Sequence, residues 1–288
     1  KRDHLRIEED IDPVMRLPYL AQGLILQYSL GSGCFWKRCS FCPERAEDST
    51  YVPKEWGEAS DEIANLINKT HPVLIHFADN AISPDSFRNL AKYPLSVPWY
   101  GFARFSNVLK DEAFCLELRR SGCVMLQLGL ESGDQEVLDQ LNKGISLPNV
   151  EQILESLHRA GIAAYVYLLF GTPAEDEASA RKTLDFVAKH HEKIGFFNLA
   201  IFNLPAFCTE VADLQTTPFY DGDLSLYRDF VHPRGWDRKA IRAFLDREFR
   251  AHPAIAPIIH RDPPIFTSNH APFFTEVFRT GPQNHFQP

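Results

Sequence analysis

A cysteine-rich stretch decides the fold of this chain, and it reads Gly33-Cys34-Phe35-Trp36-Lys37-Arg38-Cys39-Ser40-Phe41-Cys42-Pro43. We call residues 33–43 the cysteine loop. The apolar run before it, Leu24-Ile25-Leu26-Gln27-Tyr28-Ser29-Leu30, is typical of a strand. A closed zinc site needs four ligands, commonly two Cys-x-x-Cys pairs, and the sequence has no second pair. A cubane iron–sulfur cluster needs a ligand on each of its four irons, so three cysteines would leave one iron open.

Composition is that of a soluble globular protein. The chain has 288 residues, of which 44% are hydrophobic and 24% are charged, which is ample for a buried core. The net charge of -8 gives no general attraction to nucleic acid phosphates or anionic membranes, so neither is an expected partner. No apolar run reaches the roughly 18 residues of a membrane span. The highly charged residues 1–12 do not form a signal peptide.

The cysteines predict a reducing compartment. Six cysteines in a chain of this length do not make a secreted disulfide framework. Three belong to the cysteine loop, and Cys115, Cys123 and Cys208 are isolated, as buried core thiols often are. We therefore expect a cytoplasmic protein.

Apolar runs and amphipathic segments alternate along most of the chain. Predicted strands cover residues 24–30, 73–77, 99–105, 123–130, 163–170 and 196–202. Predicted helices cover residues 55–69, 84–91, 111–120, 134–141, 147–160, 175–190 and 237–251. Continuous apolar strands are expected in a parallel sheet covered by helices. Strand–helix repeats of this kind build an α/β fold, either a doubly wound sheet or a barrel.

Three segments follow from this pattern. Residues 1–22 are a polar lead-in, residues 23–205 form the core, and residues 206–288 are a proline-rich extension or cap. The helix predicted in the extension presents apolar residues on one face, namely Ile241, Phe244, Leu245 and Phe249. Candidates for a substrate pocket in this extension, with ordinary packing as the alternative, are Tyr227, His232, Trp236, His260, His270, Phe273 and Phe274.

Three motifs resemble the radical S-adenosylmethionine (SAM) superfamily, over residues 22–205. They are the cysteine loop, Gly129-Leu130-Glu131-Ser132 after the fourth strand, and Gly171-Thr172-Pro173-Ala174-Glu175 after the fifth. The six strand–helix units match the partial (β/α)6 TIM-like barrel of that family. One departure is the spacing Cys-x4-Cys-x2-Cys, which has one residue more than the usual Cys-x3-Cys-x2-Cys.

The resemblance implies a 4Fe–4S cluster and SAM as cofactors. Cys34, Cys39 and Cys42 would bind the cluster, and SAM would chelate the open iron through its amino and carboxylate groups. Reductive cleavage of SAM would then give a 5′-deoxyadenosyl radical that abstracts hydrogen. Phe41 corresponds to an aromatic residue near the adenine, although a loop residue folded onto the core is the alternative.

The resemblance also places SAM contacts at strand ends, where barrel enzymes gather their chemistry. The family's Gly-Gly-Glu-Pro motif is missing after the second strand, and Asp79 with Asn80 would replace it as the acceptor for the amino group. A turn or helix-cap role is the alternative for this pair. Arg104 could pair with a carboxylate of SAM or of the substrate, with a surface ion pair as the alternative.

Glu131 and Ser132 would reach the ribose hydroxyls or the methionyl end of SAM, because a carboxylate can accept two hydrogen bonds from a diol. As an alternative, Ser132 or Asp134 would cap the next helix. Gly171 would let the backbone approach the adenine, while Glu175 is expected to start the next helix. Asn198 and Asn203 are further candidates.

The leading hypothesis is a radical SAM oxidoreductase or transferase with an unidentified substrate and an electron donor such as flavodoxin or ferredoxin. The pattern is most like the branch that often carries an N-terminal cobalamin domain. Neither that domain nor its Asp-x-His-x-x-Gly motif is visible, so cobalamin is expected only if an upstream domain is missing. The alternatives are a non-enzymatic interaction protein with a structural zinc or iron site and a tRNA-modifying radical enzyme, the latter disfavoured by the acidic balance.

Overall fold

The computed structural model describes residues 23–46, 49–206, 208, 212–218 and 226–261. The predicted lead-in and most of the end of the extension, with His270, Phe273 and Phe274, lie outside these ranges. The two segment boundaries that we predict near residues 22 and 205 therefore stay predictions.

The strands fall into three sheets. In chain order they are β1 (Ile25–Tyr28), β2 (Gly31–Ser32), β3 (Val52–Pro53), β4 (Leu74–Phe77), β5 (Trp99–Ala103), β6 (Cys123–Glu131), β7 (Ala163–Phe170), β8 (Phe196–Ile201), β9 (Leu204–Pro205), β10 (Thr216–Pro218) and β11 (Tyr227–Phe230). The main sheet has six parallel strands in the order β1-β4-β5-β6-β7-β8. Two smaller antiparallel sheets join β2 to β3 and β10 to β11 and β9.

Helices separate the parallel strands. The α-helices are α1 (Pro43–Ala46), α2 (Trp56–Thr70), α3 (Pro84–Lys92), α4 (Glu112–Arg120), α5 (Gln135–Gln140), α6 (Leu147–Ala160), α7 (Glu177–Lys189), α8 (Arg238–Phe244) and α9 (Ala256–Ile259). Short 3₁₀ turns cover Asn107–Lys110 and His191–Lys193, and a π-helical turn at Leu245–Phe249 continues α8. This arrangement confirms the predicted α/β fold, a partial barrel with a partly helical extension.

Local signals in the sequence set several helix ends. The hydroxyl of Ser83 accepts a hydrogen bond from the Ser86 N–H at 3.1 Å, and Pro84 takes the first helical position of α3. Asp111 caps α4 by accepting from the Ala113 N–H at 2.9 Å. Gly161, with a φ of +70°, ends α6 in the left-handed conformation that glycine adopts without strain.

The two faces of the main sheet have different neighbours. Residues such as Ile75 and Phe77 point to the face that packs against Ile63 of α2 and Phe87 of α3. On the opposite face, a second cluster contains no helical residue in the part of the chain that the structure describes, and its buried members are Leu74, Tyr100, Val124, Met125, Tyr165 and Phe196. We call this second side the inner face.

The extension docks onto the barrel through aromatic residues. Phe249 is fully buried, with its ring centroid 5.5 Å from that of Phe170 on β7 and 6.0 Å from that of Phe197 on β8. The predicted apolar helix face, which includes Ile241 and Phe244, is buried as expected. No helix of the described ranges has both the length and the apolar character needed to cross a membrane.

Candidate functional site

The cysteine loop leaves the carboxyl end of β1 and is closed by a small hairpin. Gly31 and Ser32 of β2 pair with Pro53 and Val52 of β3. Gly33 then turns the chain with a φ of +76°, and a Cβ there would lie 2.8 Å from the Thr50 carbonyl oxygen. Glycine is therefore required at this turn, which delivers Cys34 to the mouth of the barrel.

The three loop thiols are free and close to one another. Cys39 is buried, Cys34 and Cys42 are half-buried, and all three are reduced. Burial raises the pKa of Cys42 above its ordinary value, and the neighbouring Cys39 and Cys34 raise it further against the opposing hydrogen bond from the Glu44 backbone. Three adjacent soft sulfur donors fit the cysteine set of an iron–sulfur cluster.

These thiols are not gathered around a single metal ion. In the described ranges, no group of three or more His, Cys, Asp or Glu side chains could hold one ion. A cubane cluster does not require such convergence, because each cysteine binds a different iron. A structural zinc site does require it, so that alternative gains no support from these residues. The isolated Cys115, Cys123 and Cys208 are buried, as predicted.

Residues 141–144, about 100 positions further along the chain, hold the cysteine loop in position. The Trp36 indole N–H donates to the Asn142 carbonyl oxygen at 3.1 Å, and the Ser40 N–H donates to the Leu141 carbonyl oxygen at 3.0 Å. Gly144 has a φ of +67°, and a Cβ there would overlap the Trp36 ring. The turn after α5 thus packs closely against the cysteine loop and holds it in position.

Phe41 packs onto the core of the barrel. It contacts the cluster formed by Val137, Leu141 and Ala174, and it borders a second apolar cluster formed by residues that follow β8 in the chain. The Lys143 ammonium lies 5.5 Å from its ring centroid. These contacts give Phe41 a packing role, and its proximity to an adenine remains a prediction.

Arg104 lies against the cysteine loop rather than on the surface. Its side chain is buried, its Nη1 is 3.6 Å from Cys39 Sγ, and its guanidinium carbon is 4.4 Å from the Trp36 ring centroid. The other guanidinium nitrogen donates to the Lys143 carbonyl oxygen. The surface ion pair that was its alternative interpretation is therefore wrong.

Glu131 is presented by a strained turn and paired with a buried lysine. It has a φ of +68°, and the pairing of β6 with β7 shifts register between Gly129 and Glu131. Its Oε1 lies 2.7 Å from Lys143 Nζ, and both side chains are almost completely buried. A Cβ at Gly129 would lie 2.7 Å from that ammonium, so the glycine makes room for the pair.

Ser132 has structural partners. Its hydroxyl lies 3.1 Å from the Thr183 hydroxyl of α7 and accepts from the Asp134 N–H at 3.1 Å. Asp134, not Ser132, provides the side-chain cap of α5 by accepting from the Glu136 N–H. Ser132 therefore ties the end of β6 to α7 beside the predicted SAM-contacting Glu131.

Asp79 fastens the chain that leads into the cysteine loop. Its buried carboxylate accepts from the Leu30 N–H at 3.0 Å. Burial raises the pKa of Asp79 to about 6, although hydrogen bonds from backbone groups, including Leu30 and Gly31, oppose the rise. Asn80 is exposed to solvent. The structure thus gives Asp79 a backbone partner, and its contact with the amino group of SAM remains a prediction.

Gly171 and Glu175 meet the extension. Gly171 has a φ of +80°, and a Cβ there would overlap Ile241 of α8. The fully buried Glu175 carboxylate accepts from the Gly171 N–H and from the Trp236 indole N–H, the latter at 3.1 Å. Burial raises the pKa of Glu175 to about 8. The prediction that Glu175 starts a helix is wrong, since Asp176 caps a helix that begins at Glu177.

A cavity of about 260 Å³ lies beside this turn. It is lined by Gly171, Phe202, Arg228, His232 and Trp236, among others. Two of the residues that we predict for a substrate pocket, His232 and Trp236, therefore do line a cavity. The His232 Nε2 has a partner already, because it lies 3.0 Å from the Thr172 carbonyl oxygen.

Sequence reasoning missed a polar and aromatic surface on the inner face. The rings of His76 and Tyr100 stack with centroids 4.3 Å apart and planes 2° apart. Next to them, Gln127 Nε2 donates to the Tyr167 hydroxyl at 3.0 Å, and Phe102 packs against Tyr167 at 5.7 Å. These residues alternate with helix-facing ones along β4 to β7, and that period of two was the available signal.

Some polar atoms of this surface have no hydrogen-bond partner, and two of them matter here. They are His76 Nε2 and the Tyr100 hydroxyl, both buried. Burial lowers the pKa of His76 to about 4, so its imidazole is neutral near pH 7. Buried polar atoms without partners cost free energy, and bound ligands are one way to satisfy them.

Comparison with known proteins identifies the family. Residues 28–187 match the family model for the Radical SAM superfamily, and this chain belongs to that superfamily. The family implies a 4Fe–4S cluster and SAM as cofactors, in agreement with the predicted set.

Two curated relatives match part of the chain. Bacteriochlorophyllide d C-12(1)-methyltransferase of Chlorobaculum tepidum is 32% identical over 171 residues, which is 58% of this chain and 34% of that protein. Anaerobic magnesium-protoporphyrin IX monomethyl ester cyclase of Rubrivivax gelatinosus is 25% identical over 151 residues, or 50% of this chain and 27% of that protein. The chain thus spans about a third or less of each relative.

Solved structures share the fold. The radical SAM methyltransferase TsrM of Kitasatospora setae, with cobalamin and a 4Fe–4S cluster bound, superposes with a TM-score of 0.61 at 20% identity, covering 84% of this chain and 52% of that one. The cobalamin-dependent radical SAM enzyme OxsB superposes with a TM-score of 0.60 at 15% identity, covering 83% of this chain and 43% of that one. At these identities the likeness concerns the fold.

Proposed function

We propose that this chain is the core of a radical SAM enzyme in which Cys34, Cys39 and Cys42 hold a 4Fe–4S cluster. The observation that carries the proposal is the group of three free, adjacent thiols at the carboxyl end of β1. When bound, the cluster and SAM supply a 5′-deoxyadenosyl radical for hydrogen abstraction or for a reaction that ends in methyl transfer. The protein binds, orients and shields these groups.

Charged side chains beside the cysteine loop would position SAM. Glu131 offers a carboxylate for the ribose hydroxyls, and Lys143, 2.7 Å away, holds that carboxylate in place and adds a cation for an anionic group. The other predicted SAM contacts remain candidates. They follow strands that end at this mouth of the barrel, and they are Phe41, Asp79, Asn80, Ser132 and Gly171. Arg104 remains a candidate for a carboxylate, although it already contacts Cys39.

Anaerobic reconstitution tests the proposal. The protein is loaded with iron and sulfide, reduced with dithionite and mixed with SAM, and we expect 5′-deoxyadenosine by mass spectrometry. Cys39→Ala should abolish both the visible absorption of the cluster and the product, whereas Cys115→Ala removes a buried core thiol and should retain both. A colourless zinc protein that is indifferent to SAM would support a non-enzymatic metal-binding protein instead.

The inner face supports a flat, conjugated substrate. The rings of His76, Phe102 and Tyr167 are partly exposed on this face, and the buried His76 Nε2 and Tyr100 hydroxyl have no hydrogen-bond partner. Aromatic side chains bind planar ligands by stacking. The names of the two curated relatives specify a bacteriochlorophyllide and a magnesium porphyrin ester as their substrates. We infer a tetrapyrrole-like substrate for this chain.

A binding titration tests this substrate class. With magnesium-protoporphyrin IX monomethyl ester as the probe, we expect saturable changes in its absorption spectrum. Tyr167→Ala should weaken binding about fivefold or more, since aromatic contacts contribute on the order of 1 kcal/mol or more. Tyr93→Ala is the control, because Tyr93 is 45% exposed at the end of α3. Equal affinity in both variants would contradict the assignment of the inner face.

The enzyme would also need a low-potential, one-electron donor of the flavodoxin or ferredoxin class. A cytoplasmic location of the enzyme is part of this proposal, because free thiols and iron–sulfur clusters are suited to a reducing compartment. Cobalamin would be a further cofactor only together with an upstream cobalamin-binding domain.

A further inference from the structure

We propose that Arg104 is a positioning residue that raises the reduction potential of the cluster by donating a hydrogen bond to Cys39. The inference rests on the proposed function, because it assumes that Cys39 binds the cluster. It assigns to this arginine a task that is separate from any contact with SAM.

The geometry around Arg104 is that of a fixed donor. Nη1 lies 3.6 Å from Cys39 Sγ, within the range for a hydrogen bond to sulfur. Nη2 donates to the carbonyl oxygen of Lys143, and the flat guanidinium lies over the Trp36 ring at 4.4 Å. The stacked ring on one side and the carbonyl at one edge thus hold the guanidinium with Nη1 beside Cys39.

The charge of Arg104 needs a partner. An arginine keeps its proton in proteins, and a buried charge is costly unless it is paired. The side chain is only 8% exposed, and no Asp or Glu in the described ranges forms an ion pair with it. Its anionic neighbour would therefore be the negatively charged cluster, once Cys39 binds iron.

This contact has a predictable effect on the cluster. Reduction takes one electron from the donor, which is oxidised, and adds one negative charge to the cluster. A nearby cation and an N–H···S hydrogen bond stabilise that added charge, and hydrogen bonds to cluster sulfurs are known to set reduction potentials. Arg104 should thus make the cluster easier to reduce, even before SAM binds.

The test is a redox titration of the reconstituted protein without SAM, followed by electron paramagnetic resonance. In Arg104→Gln, we expect the ratio of reduced to oxidised cluster at a fixed potential to fall about tenfold, which equals 59 mV for a one-electron couple. Arg104→Lys should show a smaller fall, because it keeps the charge but loses the planar fork.

Arg38 provides a matched control in the same loop. It is exposed, and its guanidinium carbon lies 5.1 Å from the same Trp36 ring. Arg38→Gln should leave the potential unchanged. An equal shift in this variant would overturn the proposal, since the effect would then be a general loss of positive charge.

Other outcomes are equally decisive. An unchanged potential in Arg104→Gln, with weaker SAM binding, would overturn the proposal and favour the contact with the SAM carboxylate. If Arg104→Gln does not load a cluster, an unchanged potential in Arg104→Lys overturns it. Wild-type protein is assayed in parallel for iron content and 5′-deoxyadenosine, so failure of the proposed function would appear already in the wild type, whereas failure of the Arg104 proposal would appear only in the comparison of potentials.

Discussion

Glu131 combines backbone strain with a buried charge. A non-glycine residue at a φ of +68° costs free energy, and such residues persist where their surroundings hold them. Here the register shift at Gly129 turns the side chain inward, and Lys143 at 2.7 Å neutralises it. The strain therefore serves to present one carboxylate at the barrel mouth.

The buried pair yields a stability prediction. Lys143→Ala would leave the Glu131 carboxylate buried and unpaired, which should lower the free energy of unfolding by about 3–5 kcal/mol. The measurement is urea denaturation of the protein. Arg250→Ala is the control, because Arg250 and Asp246 form an exposed pair and should contribute about 1 kcal/mol or less. Similar losses in both variants would show that the Glu131–Lys143 pair is solvated.

Glu175 yields a pH prediction. Its pKa of about 8 in the folded protein exceeds the ordinary value of 4.5, so the folded state binds more protons between these values. The stability from this group is present at low pH and is lost as the pH rises through about 8, by at most about 1.4 kcal/mol per pH unit. The measurement uses the range from pH 6.5 to 8 because it lies above the pKa of about 6 for Asp79, the other buried carboxyl group with a raised pKa.

Glu175→Gln replaces the titratable carboxyl group with an amide, whose oxygen can still accept from the Gly171 and Trp236 N–H groups. We expect the decline of unfolding free energy between pH 6.5 and 8 to flatten in this variant, as measured by urea denaturation at several pH values. Glu192→Gln, at an exposed glutamate, should keep the wild-type slope. An unchanged slope in Glu175→Gln would mean that another group causes the pH dependence.

Single residues were predictable from sequence when their chemistry is local. The three cysteines of the cysteine loop are recognisable by their spacing. Gly33 and Gly171 occupy turns with a positive φ, which glycine adopts readily. The partners of Arg104 and Glu175 were not predictable. Arg104 meets Cys39 across 65 residues and Glu175 meets Trp236 across 61, and no short-range pattern encodes such contacts.

At the scale of elements, the cysteine loop depends on the turn after α5. Gly144→Ala would drive a methyl group into the Trp36 ring and also strain the backbone at a φ of +67°. Gly235→Ala is a matched control with a φ of +70° and open space around its Cβ. We expect Gly144→Ala to lose bound iron on reconstitution and more unfolding free energy than Gly235→Ala, whose backbone strain should cost roughly 1–2 kcal/mol. Equal effects would show that the loop adjusts freely.

Elements with strong periodicity were predicted well, and irregular ones were not. Residues 147–160 and 163–170 form α6 and β7 as predicted, because cap residues and apolar runs mark both ends. The π-helical turn at Leu245–Phe249 and the short strands β9 to β11 were missed. The π-helical turn lies where Phe244 and Phe249 pack against Phe170 of the barrel, and a contact between residues so distant in sequence is a tertiary effect.

At the scale of the whole molecule, SAM should stabilise the fold through the cluster. Saturating SAM at about 100 times its dissociation constant adds about 2.7 kcal/mol to a protein that binds it only when folded. We expect this gain in thermal unfolding of the cluster-loaded protein and none in Cys39→Ala. An equal gain in that variant would place SAM binding elsewhere than at the cluster.

The order of the strands in the main sheet has a consequence for substrate access to the enzyme. It begins at β1 and ends at β8, and within the described ranges these two strands do not pair with each other. Within the described ranges, the spacing between β1 and β8 is therefore not fixed by a ladder of backbone hydrogen bonds. For a wide, flat substrate of the proposed class, we expect entry at this open edge, because β1 and β8 can separate there without breaking the six-stranded ladder.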